Sequence, residues 1–66
     1  MRIISKSRCH FHGTHKGYIV VIEKEASGRF WIDVSDGAGR AYLGYAPEGV
    51  TTMPAAKREA IKGACL

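Results

Sequence analysis

Sixty-six residues, 45% of them hydrophobic and 24% charged, make one small soluble-type domain. At this size only about 60% of the unfolded chain's surface is buried on folding, so stability leans on a disulfide, a metal, dimerisation or tight packing. No apolar run approaches the roughly 18 residues of a helical membrane span, and the formal net charge of +4 permits contact with a polyanion without requiring it.

The basic residues are unevenly placed. Arg2, Lys6, Arg8 and Lys16 precede the first acid, Glu23, and Lys57, Arg58 and Lys62 form a second group near the C-terminus. Arg2 and Lys6 flank only Ile3 and Ile4, too short for the apolar region of a secretory signal, so a cytoplasmic location is expected. In that compartment Cys9 and Cys65 are expected to stay reduced.

Residues 1–17 read as a basic, histidine-bearing arm or strand. Met1 to Lys6 is either an extension of a strand or a loose arm. From Ser7 to His12, apolar Cys9 and Phe11 alternate with Arg8, His10 and His12, the period of a half-buried strand. Gly13 and Gly17 bracket Thr14, His15 and Lys16, which predicts a hairpin turn between them.

Residues 18–45 hold three runs rich in β-branched and aromatic residues, Tyr18 to Ile22, Phe30 to Val34 and Arg40 to Tyr45. Turn signals at Ala26-Ser27-Gly28 and Ser35 to Gly39 separate them, so a β-meander is predicted. Val20 and Ile22 oppose Ile19 and Val21, which marks the first run as an interior strand. Phe30, Ile32 and Val34 give the sheet an aliphatic face, the expected seat of a helix. The other face is expected to carry an apolar, aromatic patch of Ile19, Val21, Trp31 and Tyr42, bordered by Arg29 and Arg40.

Ala46-Pro47-Glu48-Gly49 reads as a loop. Thr51 or Thr52 then caps a helix over 52–66, with Pro54 in its first turn and Ala56, Ala60, Ile61 and Ala64 on one stripe. The fold expected is therefore α+β: an antiparallel sheet of three to four strands with one C-terminal helix packed on one face.

Little in the chain carries chemistry. His10, His12 and His15 match no closed zinc spacing, so no metal is expected, and nothing points to another cofactor. Cys9 and His10 project to opposite sides of a strand, and Gly37 and Gly39 lack the lysine and following helix of a phosphate loop. No catalytic residues and no small-molecule substrate are expected. The expected partners are another protein or a second copy, through Ile19, Val21, Trp31 and Tyr42. The alternative is RNA, through Lys57, Arg58, Lys62 and the N-terminal basic residues.

Two family resemblances bear on this. Tyr18 to Lys24 resembles the opening strand of the HicB-like antitoxin domain, Ser27-Gly28 its turn, and Asp36-Gly37-Ala38-Gly39 its D-x-x-G element. Gly44 follows at the usual interval, and Glu59-Ala60-Ile61 resembles part of its helix. Met1 to Gly17 and the longer loop from Tyr45 to Thr52 lie outside the likeness. This resemblance implies a non-catalytic protein that binds and blocks a small toxin ribonuclease. Lys57-Arg58-Glu59-Ala60, after three strands, is also similar to the final helix of the double-stranded RNA-binding domain, which touches phosphates. Ile61 stands where that family usually has another lysine, and no N-terminal helix is predicted.

Overall fold

The computed structural model describes residues 2–66. Five strands, β1 (Arg2–Lys6), β2 (His10–His15), β3 (Tyr18–Lys24), β4 (Phe30–Asp36) and β5 (Gly39–Tyr45), precede one helix, α1 (Met53–Gly63). The strands form a single antiparallel sheet in the order β1-β2-β3-β4-β5, so every connection is a hairpin. The α+β class is as the sequence implies, but the sheet has five strands rather than three or four. Arg2 to Lys6 is a paired edge strand and not a loose arm; Met1 lies outside the described residues.

Local chemistry explains the hairpins. The β2–β3 turn is Lys16-Gly17, with φ of 51° and 85°. Two successive positive φ values match the right-handed twist of the flanking strands, and glycine takes the second without strain. The predicted turn is thus shortened at its start: Gly13, Thr14 and His15 stay in β2, paired with Val20, Ile19 and Tyr18. Gly13 is needed there for a different reason. A Cβ on it would sit 2.4 Å from the Arg2 carbonyl oxygen and 2.8 Å from Phe11 Cζ, because the Phe11 ring lies across it. In the β4–β5 turn, Asp36 Oδ1 accepts from the backbone N–H groups of Ala38 and Gly39 at 2.8 and 2.9 Å. The aspartate at the corner holds the hairpin closed.

On one face Phe11, Val20, Ile22, Phe30, Ile32 and Val34 are buried, and Ala56 and Ala60 of α1 seal them from above. Two alanines at i and i+4 let the helix axis approach the sheet closely. Thr52 caps the helix by accepting from the Ala55 N–H at 3.3 Å, and Pro54 sits in the first turn where its missing N–H costs nothing. The helix ends earlier than the predicted 66, because Cys65 turns left-handed with φ of 61° and Leu66 N–H closes back on the Ile61 carbonyl. Helix α1 packs over β3, β4 and β5. Among the described residues nothing forms a layer over the opposite face of the sheet.

Candidate functional site: the open face of the sheet

Strand register places three rows of side chains on the uncovered face. The central row is Ser5, His12, Val21, Asp33 and Leu43; one flanking row is Arg2, Thr14, Ile19, Ser35 and Arg40; the other is His10, Glu23, Trp31 and Tyr45. The apolar members adjoin each other across β3, β4 and β5. Ile19 is 44% exposed, Leu43 52% and Tyr45 43%, while Val21 and Trp31 are half-buried among them. Trp31 and Tyr45 meet edge to face, with ring centroids 5.0 Å apart, an arrangement that fixes both rings. The Arg29 guanidinium lies 4.8 Å from the centre of the Tyr45 ring. The Tyr45 hydroxyl donates to Glu25 at 2.8 Å, and that hydrogen bond is the main cause of its raised pKa.

Three of the four predicted patch residues, Ile19, Val21 and Trp31, are brought together here. Tyr42 is not, and this corrects the sequence reading. Tyr42 pairs with Val34, an inward residue, so its ring lies on the helix side, packed against the core and over Gly63. The physical cause is a β-bulge. Val34 pairs with Tyr42 but Ser35 pairs with Arg40, leaving Ala41 as an extra residue in β5. The bulge separates Arg40 and Tyr42, which simple alternation would place together. Arg40 remains on the open face, with Nε 3.6 Å from Asp33 Oδ1. Leu43 and Tyr45 take the places that the sequence reading gave to Tyr42. Only the β4–β5 register reveals this, and no signal within β5 itself carries it.

The charges of the open face balance. Arg2 and Arg40 stand against Glu23 and Asp33, with His10 Nδ1 2.6 Å from Glu23 Oε1. With Nδ1–H donating to Glu23, His10 Nε2 is left to accept from Ser5 Oγ at 3.4 Å. This Ser5-His10-Glu23 line is open to water: the His10 and Glu23 side chains are 36% and 50% exposed. Asp33 Oδ1, occluded by its neighbours, makes no hydrogen bond among the described residues. His15, in alternation with His10 and His12, points to the other side of the sheet. Among the described residues no three His, Cys, Asp or Glu side chains gather into a metal site, and Cys9 and Cys65 are exposed free thiols.

The predicted nucleic-acid residues lie elsewhere. Lys57, Arg58 and Lys62 are on α1, beside a shallow depression that they line together with Ile61, Cys65 and Leu66. The Lys57 ammonium sits 4.4 Å over the Phe11 ring, and Lys16 donates to the Leu66 carbonyl at 3.1 Å. These cations are all on the helix side or its border, so the two faces differ in kind: the open face sets an apolar stripe among polar groups whose charges balance, and the helix side is basic. Among the described residues no helix is long and apolar enough to cross a membrane. No protein-family model, curated protein or solved structure matches the chain.

Proposed function

We propose that this chain is a non-catalytic binding module that docks onto protein through the open face of its sheet. The observation that carries the reading is the stripe Ile19, Val21, Trp31, Leu43 and Tyr45, left uncovered while Asp33 faces Arg40 and Glu23 faces His10 beside it. Exposed apolar patches of this kind, rimmed by polar groups, mark interaction surfaces, and rigid aromatic anchors supply most of the binding energy in them. The Trp31–Tyr45 pair is such an anchor, held before binding by ring packing and by the Tyr45–Glu25 hydrogen bond.

The likeness of Tyr18 to Ile61 to the HicB-like antitoxin domain supplies one class of partner, a small toxin ribonuclease. The basic flank of α1 supports RNA contact as a second reading, carried by Lys57, Arg58 and Lys62 around one depression. The two readings use opposite faces and separate cleanly. Tagged wild-type protein, Leu43→Lys and Arg58→Glu are used to capture partners from native lysate with and without nuclease. Loss of a nuclease-resistant protein partner in Leu43→Lys alone supports the open face. Loss of nuclease-sensitive material in Arg58→Glu alone moves the function to the helix, and identical captures by all three refute both readings.

A further inference from the structure

Resting on the reading of the open face as a protein interface, we infer that the occupant of that face is a second copy of this chain, the two sheets stacking face to face in a symmetric dimer. Three observations lead there. The first is size. The molecule measures 31 × 21 × 15 Å, so its broad face offers at most about 650 Å² per copy, the product of the two longer extents. Two such faces bury at most about 1,300 Å² in total, which reaches only the lower end of the roughly 1,200–2,000 Å² window of stable, specific interfaces. The face is large enough to serve, with little to spare, so the whole of it is needed.

The second observation is charge. The chain carries a net +4, which opposes self-association if the charge is spread evenly. It is not. Lys57, Arg58 and Lys62 lie on the helix, whereas Arg2, Arg40, Glu23 and Asp33 cancel on the open face. Stacking two open faces keeps the helix cations at the two outer surfaces of the assembly, remote from each other. A strongly acidic or strongly basic partner finds no complementary field on this face, whereas an identical face of zero net charge meets no net repulsion.

The third is the missing staple. Domains of this size usually add a disulfide, a metal or an oligomer contact to a small core. Here the cysteines are free and exposed, and the described residues form no metal site, while the apolar stripe of Ile19, Val21, Trp31, Leu43 and Tyr45 lies among polar groups on the open face with no layer over it among the described residues. Closing a two-layer α/β unit into a four-layer α/β/β/α dimer turns Ile19, Val21, Trp31 and Leu43 into core. Sheets packed in this way sit about 10 Å apart with interdigitating side chains.

Sedimentation equilibrium over a concentration series tests this, with wild type, Leu43→Lys, Arg58→Glu and Ile4→Pro. Leu43 is half in solvent and Ile4, the bulged residue of β1, is 57% exposed, so both variants are expected to keep the monomer fold, which circular dichroism verifies. The result expected is a wild-type dimer whose dissociation constant rises at least about tenfold in Leu43→Lys and is unchanged in Arg58→Glu and Ile4→Pro. A wild type that is monomeric at every concentration overturns the second-copy inference. The broader reading then still holds if Leu43→Lys abolishes capture of another protein, and falls with it if it does not. A dimer broken by Ile4→Pro but not by Leu43→Lys overturns the face-to-face arrangement in favour of pairing through the β1 edge.

Discussion

Replacing Gly63 by alanine separates the local from the tertiary account of this fold, because the two predict opposite signs. On helix propensity alone, Gly63→Ala in α1 stabilises the protein by up to about 1 kcal/mol. The structure places a Cβ on Gly63 at 2.0 Å from Tyr42 Cε2 and 2.2 Å from Cδ2. Carbon atoms in ordinary contact are about 3.5–4.0 Å apart, so the ring must retreat by roughly 1.5 Å. It has little room, since Tyr42 packs against the core beside its cross-strand partner Val34. Forcing extra volume into such a site costs about 1–3 kcal/mol. The net expectation is a loss of up to about 2 kcal/mol once the helix gain is subtracted. Urea unfolding followed by Trp31 fluorescence measures it. In a Tyr42→Ala background the obstruction is gone, and the same substitution is expected to stabilise by up to about 1 kcal/mol, giving a coupling energy of about 1–3 kcal/mol. Equal stabilisation in both backgrounds refutes the placement of Tyr42 against the helix.

Three further outcomes follow from the packing. Ile32→Ala, at the fully buried centre of the sheet, is expected to cost about 2–5 kcal/mol, enough to unfold a domain this small, whereas Leu43→Ala on the open face leaves the melting temperature of dilute protein within a few degrees. Thr52→Ala removes the oxygen that accepts from the Ala55 N–H and is expected to cost about 1 kcal/mol in thermal or urea unfolding. The phenols of Tyr42 and Tyr45 both titrate above the usual tyrosine value, Tyr42 through burial and then the Glu59 charge, Tyr45 through its hydrogen bond to Glu25 and then partial burial. A folded pKa above the unfolded one favours the neutral phenol in the fold. Their contribution is therefore complete below about pH 10 and is lost as the pH rises through the folded values. Tyr45→Phe is expected to flatten the alkaline part of the stability curve; a curve of unchanged slope contradicts the role of the Glu25 contact.

Much of this architecture is legible in the sequence because local and global signals agree. The apolar runs of β3 and β4 fix two strands, Thr52 and Pro54 open the helix where capping chemistry requires, and Ala56 and Ala60 form its inward stripe. Strand β1 is not legible in this way. All five of its residues are exposed, so no burial pattern marks it, and its pairing is set by the β2 it lies beside. The candidate site divides in the same manner. Ile19, Val21 and Trp31 sit on strands whose own alternation identifies their face. Tyr42 and Leu43 sit on an edge strand with a bulge, and there a one-residue slip exchanges the faces. The information that decides between them is the fit of a tyrosine ring beneath Gly63, a contact between β5 and a helix twenty residues further on.

Site-specific photocrosslinking from position 43 decides whether the open face is where a partner protein sits. A benzophenone side chain replaces Leu43 on the open face in one protein and Arg58 on the helix in another, and both are irradiated in native lysate after nuclease treatment. A discrete protein adduct is expected from position 43, at twice the 7.2 kDa chain mass for a second copy or at another fixed mass for a different partner, and none from position 58. An adduct from position 58 with none from position 43 contradicts that placement.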